Sequence, residues 1–179
     1  MKRPDERREP PPAEAGKTSP PATRRHLRRL DQILDTSGSP LFFITLCARH
    51  RMAVLAQPAV HDILVTGWRN AFRVYGWMVG RYVVMPDHAH FFAGPATDQA
   101  RDLSAFVGGW KNWTQRQVRE SVLSSFAWQR EFFDHLMRSE ESYEEKWEYV
   151  RANPVRAGLV ARAEDWPYQG EIHSLPWSL

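Results

Sequence analysis

The sequence contains a single cysteine, Cys47, among its 179 residues. One thiol excludes an internal disulfide framework and any zinc site built from several thiolates. The longest apolar run, residues 41–48, is far shorter than the roughly 18 residues that a transmembrane helix needs. The N-terminus also lacks the hydrophobic core of a signal peptide, so we expect a protein of the reducing cytoplasm with no membrane partner.

The sequence has no net positive charge outside its N-terminal region. The net charge is +3, but residues 1–30 carry nine Lys or Arg against four Asp or Glu, which leaves residues 31–179 at −2. Six of the 13 prolines also lie in residues 1–30. Such a segment buries too little apolar surface to offset its ordering entropy. We therefore predict a disordered basic tail over residues 1–25 and a single domain over residues 26–179.

Hydrophobic patterning predicts an α+β fold in the order β-α-β-β-α-(β)-α. The predicted strands cover residues 41–47, 77–85 and 88–93, and residues 126–137 are ambiguous. The predicted helices start at Pro58 and end before Gly76, start at Asp102 or Ser104 and end near Arg119, and start at Ser139 and end at Pro154. The turn dipeptide Pro86-Asp87 joins two of the strands as a hairpin. We expect an antiparallel sheet covered by helices on one face.

Two histidines follow this turn as His88-Ala89-His90. Side chains at i and i+2 on a strand point to the same face, so both imidazoles can converge on one metal ion. With seven histidines in the chain, a chance pair of this kind is a serious alternative.

Tyr149 and Asn153 lie four residues apart in the last predicted helix and therefore on one face of it. Tyr149 is off the packing stripe formed by Tyr143, Trp147 and Val150, whereas Asn153 is equally explained as a structural cap. A tyrosine oxygen can attack a phosphodiester if a cation polarises the phosphate. Two imidazoles and an amide oxygen leave open coordination positions on that cation for phosphate oxygens and water, and they suit Mg²⁺ or Mn²⁺ as well as zinc.

DNA contacts are predicted in two segments. The run from Trp110 to Arg116 combines aromatic rings with cations, as single-strand binding requires, although the tryptophans are better explained as core residues. Arg151 and Arg156 flank Tyr149 and can clamp phosphate. The candidate DNA contacts are Trp110, Lys111, Trp113, Arg116, Arg151 and Arg156.

Three motifs in order resemble one known family. The stretch from Tyr82 to His90 resembles the V-M-P-N/D-H-x-H motif of HUH-type single-strand transposases, and residues 128–138 resemble their W-Q-x-x-F-x-D-H-x-x-R segment. Residues 149–160 resemble a Y-x-x-x-N-P-V-x-A-G-L-V pattern. Together they are similar to the REP-associated tyrosine transposases.

The resemblance implies a ferredoxin-like fold and a role for each matching residue. His88, His90 and Asn153 match the metal ligands, and Tyr149 matches the nucleophile. The family cleaves single-stranded DNA near a hairpin with Mg²⁺ or Mn²⁺, leaving a 5′-phosphotyrosine and a free 3′-OH. His135 matches a recurrent position as an accessory residue, either a buried structural histidine or a general acid or base.

Some features depart from the family or stay open. Ala89 replaces a larger apolar residue between the histidines, and no segment matches the region that reads a guide sequence at the foot of the hairpin.

The alternative functions are a non-catalytic hairpin-binding protein and a two-histidine metal phosphodiesterase. We expect a monomer or homodimer in the cytoplasm, associated with the nucleoid. The N-terminal arginines that could contact DNA are Arg24, Arg25, Arg28 and Arg29.

Overall fold

Five strands form one antiparallel sheet in the order β4-β1-β3-β2-β5. The strands are β1 (Phe42–Cys47), β2 (Trp77–Val84), β3 (His88–Pro95), β4 (Phe133–Leu136) and β5 (Gln169–Glu171). The structure is a computed structural model that describes residues 40–138 and 140–175. The proposed disordered tail, its arginines and the Ser139 cap lie outside these residues. The α+β class and the ferredoxin-like antiparallel sheet are confirmed.

Helices connect the strands and extend the chain beyond β4. They are α1 (Pro58–Arg69), α2 (Ala71–Tyr75), α3 (Leu103–Ser121), α4 (Glu140–Arg151) and the short α5 (Asn153–Arg156), with 3-10 turns at Arg49–Arg51 and Ala163–Asp165. None of the helices in the described residues has both the length and the apolar composition to cross a bilayer.

One face of the sheet is covered by α1 and α3. Phe91, on β3, contacts the ring of Trp68 from α1 and that of Trp110 from α3, with centroids 5.2 and 6.1 Å apart. The two tryptophan rings are stacked at 5.3 Å, and both side chains are buried. This aromatic packing forms the larger hydrophobic core.

Helix α4 covers the opposite face of the sheet. The ring of Tyr143 lies 4.4 Å from that of Phe92, and Val150 is buried in a cluster with Val83 and Met85. The single helical layer expected from the sequence therefore describes α1 and α3, whereas α4 forms a second layer. The reason is β3 itself, which presents apolar side chains on both of its faces, so each face needs a cover.

Three details of the elements differ from the sequence-based prediction. The helix starting at Pro58 is divided at Asn70, and Gly76, with φ +74°, ends its second part. Pro154 lies in the first turn of α5 rather than beyond the last helix, which proline tolerates because N–H groups there have no helical partner. Strand β5 has a sequence, Gln-Gly-Glu, without β-branched residues, and forms because β2 offers it a free edge.

Candidate active site

The β2–β3 hairpin holds the two histidines in place. The amide of Met85 donates to the carbonyl of His88 over 2.8 Å, which closes a two-residue loop of Pro86 and Asp87. The carbonyls of these two loop residues accept hydrogen bonds from Leu55 and from Ala48, at 2.8 and 2.9 Å. The start of β3 is thus fixed by backbone bonds to a separate segment of the chain.

His88 and His90 lie on the same face of β3, as predicted from their spacing. Their rings are 4.7 Å apart between centroids and nearly perpendicular, at 83°. Ala89, between them, is fully buried on the opposite face. The register places Thr45 opposite His90 and Cys47 opposite His88. The histidine face of the sheet is the one that α4 covers.

Each histidine is held at its Nδ1 atom by a neighbouring side chain. Nδ1 of His88 lies 2.6 Å from Oδ1 of Asp87, and Nδ1 of His90 lies 2.8 Å from the hydroxyl of Thr45. With both Nδ1 atoms occupied, the Nε2 atoms are the ones that remain to ligate an ion. The contact between Thr45 and His90 was not predicted from the sequence, because the two residues are 45 positions apart in the chain.

His90 stays uncharged over the physiological range. Burial lowers its pKa to about 3, and electrostatic interactions with His88, Arg51 and Lys146 act in the same direction, whereas Asp87 opposes them. A neutral imidazole is the form that binds metal ions. The donor set therefore fits a divalent cation without a change of protonation at His90.

Lys146 brings a positive charge to this face of the sheet. Its Nζ atom lies 5.4 Å from the centroid of the Phe43 ring, which in turn stacks on His90 at 5.4 Å. Lys146 precedes Tyr149 by three residues in α4, so the two side chains project from neighbouring positions of the helix. Lys146 was not predicted as a site residue, although its i, i+3 spacing from Tyr149 places the two on neighbouring positions of the helix.

Tyr149 is exposed at the end of α4, with 63% of its surface accessible. Its neighbour Val150 is 2% exposed and anchors this turn on the histidine face of the sheet. The guanidinium of Arg156 lies 4.1 Å from the centroid of the Tyr149 ring and donates to the Tyr149 carbonyl over 2.6 Å. Tyr149 therefore has an anchored backbone and an accessible hydroxyl-bearing ring.

Asn153 begins α5 instead of sharing one continuous helix with Tyr149. Its Oδ1 atom accepts a hydrogen bond from the guanidinium of Arg156, and the N-cap of α5 is Ala152 rather than Asn153. Ligation by Asn153 would require this oxygen to exchange Arg156 for the ion. No group of three or more His, Cys, Asp or Glu side chains in residues 40–138 and 140–175 is arranged to hold a metal.

The residues expected to bind DNA from α3 are placed differently. Trp110 is 1% exposed and stacked on Trp68, so its assignment as a base-stacking residue is wrong. Lys111 donates to two backbone carbonyls, those of Gln129 and Arg130, which makes it an anchor for that loop. The helix lies on the face of the sheet opposite the histidines.

Four other candidates have mixed surroundings. Trp113 is half-buried, and Arg116 is exposed with Glu120 3.9 Å away. Arg151 lies 3.2 Å from Glu148 on the histidine side of the sheet. His135 is exposed on β4 in register with Phe43, so the interpretation of it as a buried structural histidine is wrong.

Comparison with known proteins gives relatives that include two named as REP-associated tyrosine transposases. No protein-family model matches the chain. An Escherichia coli REP-associated tyrosine transposase is 26% identical over 132 residues, covering 71% of this chain and 73% of the relative. A Haemophilus influenzae protein provisionally named a REP-associated tyrosine transposase is 23% identical over 161 residues, covering 80% and 90%.

Solved structures agree with these relatives. A REP-associated tyrosine transposase bound to a REP hairpin superposes with a TM-score of 0.60 and 25% identity, covering 74% of this chain and 76% of that one. A provisionally named transposase from Deinococcus radiodurans shares the fold, with a TM-score of 0.50, 20% identity and coverage of 65% and 92%. On these similarities, the chain resembles the REP-associated tyrosine transposases in sequence and in fold.

Proposed function

We propose that the protein is a metal-dependent transposase that cleaves single-stranded DNA beside a hairpin through Tyr149. The observation that carries the proposal is the pair of histidines held at both Nδ1 atoms on the face of the sheet where α4 ends in an exposed tyrosine. A solved relative is bound to a REP hairpin, which supports hairpin DNA as the substrate.

The metal ligands in this proposal are Nε2 of His88, Nε2 of His90 and Oδ1 of Asn153. The set of two imidazoles and an amide contains no thiolate and carries no charge, which suits Mg²⁺ or Mn²⁺ with open positions for phosphate oxygens and water. The bound cation would polarise the scissile phosphate and offset the charge that develops on it.

The chain's own residues supply the nucleophile and its surroundings. The Oη atom of Tyr149 attacks phosphorus, forming the Tyr–O–P bond, while the bond from phosphorus to the 3′ oxygen breaks. The tyrosine proton leaves to solvent, to which this side chain is open, and the departing 3′ oxygen takes up a proton. The products are a 5′-phosphotyrosine and a free 3′-OH. In the reverse reaction, the 3′-OH of a new strand attacks the phosphotyrosine and Tyr149 is released.

Cations around the tyrosine hold the DNA backbone. Lys146 precedes Tyr149 by three residues in α4, Arg151 follows it by two, and the guanidinium of Arg156 lies 4.1 Å from the centroid of the Tyr149 ring. Such charges neutralise phosphates, and a positioned guanidinium also orients them. We assign the phosphate contacts to these three residues.

A labelled hairpin with a single-stranded flank, taken from the DNA beside the gene, tests the proposal on a denaturing gel. The wild-type protein with Mn²⁺ should give a covalent protein–DNA adduct, and Tyr149→Phe should bind the hairpin equally well without forming it. Tyr168→Phe is the matched control and should keep the adduct. An adduct in Tyr149→Phe would reject Tyr149 as the nucleophile.

The same assay separates the alternatives. His88→Ala should abolish cleavage that depends on metal, whereas His173→Gln, which changes a histidine outside the site, should retain it. Cleavage without any adduct would identify a two-histidine phosphodiesterase. Binding without cleavage in the wild type, with Mg²⁺ or Mn²⁺ present, would identify a hairpin-binding protein that lacks catalysis.

A further inference from the structure

The turn after β1 contains two consecutive residues in the left-handed region of the backbone. His50 has φ 56° and Arg51 has φ 55°, and among the described residues these are the two non-glycine positions with positive φ. L-residues adopt this conformation at an energetic cost, and it persists where the surroundings determine it. The turn adjoins the histidine pair, because Cys47, just before it, is in register with His88.

Backbone hydrogen bonds fix the turn against the rest of the site. The amide of Arg49 donates to the carbonyl of Ala127 over 2.7 Å, and the amide of Arg51 donates to that of Ala48 over 3.1 Å. Ala48 itself donates to the carbonyl of Asp87. The turn and the tip of the β2–β3 hairpin are therefore tied together before any side chain is considered.

The strained conformation directs the Arg51 side chain toward the hairpin tip. Its Nε atom lies 2.8 Å from Oδ2 of Asp87, and its Nη1 atom donates to Sγ of Cys47 over 2.9 Å. The guanidinium is thus held at two of its nitrogen atoms, by Cys47 just before the turn and by Asp87 at the hairpin tip. A planar guanidinium held in this way is a directional partner for a carboxylate.

Asp87 uses both of its carboxylate oxygens in this arrangement. Oδ2 accepts from Arg51, and Oδ1 faces Nδ1 of His88 at 2.6 Å. Two partners on two oxygens fix the rotation of the carboxylate, so the imidazole of His88 has one favoured orientation and one favoured tautomer. That tautomer carries its proton on Nδ1 and leaves Nε2 as the ligand atom.

We propose that Arg51 is a positioning residue that acts through Asp87 to hold His88 in its metal-binding orientation. The inference rests on the proposed function, since it concerns the ion that His88 would bind. It predicts that Arg51 favours metal binding although it adds a positive charge close to the ion. Electrostatic repulsion alone predicts that Arg51 weakens metal binding, so the two explanations differ in the direction of the effect.

The test uses the full-length protein, Mn²⁺ as the probe and no DNA. Arg51→Gly is the informative variant, because glycine adopts positive φ without strain and keeps the turn while removing the guanidinium. His50→Gly is the matched control, which relaxes the neighbouring strained position and leaves Arg51 in place. Electron paramagnetic resonance of free Mn²⁺ gives the dissociation constant of each variant.

We expect Arg51→Gly to weaken Mn²⁺ binding by about 10-fold, within the range typical of outer-shell partners. His50→Gly should match the wild type, Arg51→Lys should recover part of the loss, and Arg51→Gly combined with Asp87→Ala should bind no more weakly than Asp87→Ala alone. Tighter or unchanged binding in Arg51→Gly would overturn the proposal and leave Arg51 as a surface charge or a DNA contact.

A second readout does not depend on metal at all. Long-range ¹H–¹⁵N spectra of the metal-free protein report which ring nitrogen of each histidine carries the proton. His88 should be protonated at Nδ1 in the wild type and shift toward the Nε2 form in Arg51→Gly; an unchanged tautomer would contradict the positioning role.

The two readouts keep this inference separate from the proposed function. If His88→Ala and His90→Ala leave the Mn²⁺ dissociation constant unchanged, the proposed metal site is wrong, and the tautomer of His88 still decides whether Arg51 positions it. If those variants lose Mn²⁺ and Arg51→Gly does not, the metal site stands and the positioning role fails.

Discussion

The hydroxyl of Thr45 lies 2.8 Å from Nδ1 of His90, across the antiparallel pairing of β1 with β3. This contact leaves Nε2 of His90 as the free ring nitrogen and gives β1 a part in the site, although that strand carries no residue of the histidine motif. A threonine at this register position is thus as much a component of the site as the residues that flank the histidine in sequence.

Thr45→Val should weaken metal binding while preserving the shape of the side chain. The substitution removes the hydroxyl, so His90 loses the partner that fixes its tautomer, and we expect the Mn²⁺ dissociation constant to rise by about 10-fold. Thr45→Ser keeps the hydroxyl and should bind as the wild type does. Equal affinities for the valine and serine variants would show that the contact has no role in ligand orientation.

Adjacent glycines in α3 should respond to alanine with opposite signs. A Cβ at Gly108 meets nothing within 4 Å, so Gly108→Ala should raise the free energy of unfolding by roughly 0.5–1 kcal/mol through helix propensity and chain entropy. A Cβ at Gly109 would lie 2.6 Å from the Tyr75 hydroxyl and 2.7 Å from a carbon of its ring, so Gly109→Ala should lower it. Urea denaturation at constant m-value measures both, and a stabilised Gly109→Ala would contradict the close packing.

Acid should destabilise the fold in part through His61. Burial lowers the pKa of His61 below 6.5; Asp62 opposes this shift and Arg69 adds to it, while the rings of Tyr82 and Tyr168 pack against the imidazole. The unfolded chain therefore takes up a proton at a higher pH than the folded protein does. The stabilising effect of neutral His61 is full above pH 6.5 and declines as the pH falls through that value toward the lowered pKa.

Replacement of the imidazole isolates this contribution. Urea denaturation at pH 7.5 and pH 5.5 should show a smaller loss of stability on acidification for His61→Gln than for the wild type. The slopes of the free energy of unfolding against pH should differ by at most the amount that corresponds to one bound proton. A variant with the same pH dependence as the wild type would show that His61 does not contribute. His50→Gln, at an exposed position, is the control.

Arg156→Ala should weaken hairpin binding and reduce its dependence on salt. The guanidinium lies beside Tyr149, where the proposed function places a phosphate. Its loss should therefore reduce the slope of the logarithm of the binding constant against the logarithm of salt concentration by about the contribution of one phosphate contact. Arg151→Ala should have the smaller effect, because Glu148 lies 3.2 Å from that guanidinium and already neutralises part of its charge. Unchanged slopes in both variants would remove these arginines from the interface.

Deletion of residues 1–25 should affect encounter with DNA rather than chemistry. The segment carries much of the positive charge, whereas residues 31–179 are net negative, so we expect weaker binding at low salt that converges with the full-length protein at high salt. Cleavage at saturating protein should be unchanged. Loss of cleavage at saturation would make the tail a component of the active site.

The amino-acid sequence by itself determined the elements and the local geometry of the histidine pair. Alternation in β3 places His88 and His90 on one face, and Pro86-Asp87 closes the hairpin that positions them, because both effects depend on residues a few positions apart. The stripe of Tyr143, Trp147 and Val150 correctly identified the packed side of α4 for the same reason. Residues 149–160 likewise contain the tyrosine motif within a single short segment.

Only the tertiary structure decided which residues support that pair and which face of the sheet each helix covers. Trp110 and Tyr149 are both aromatic residues of amphipathic helices, yet one is stacked in the core and the other is exposed, because packing against distant strands selects the buried side. Thr45 and Arg51 reach the histidine site through the register of β1 with β3 and through a strained turn. Sheet pairing joins residues far apart in the chain, so no local pattern specifies such contacts.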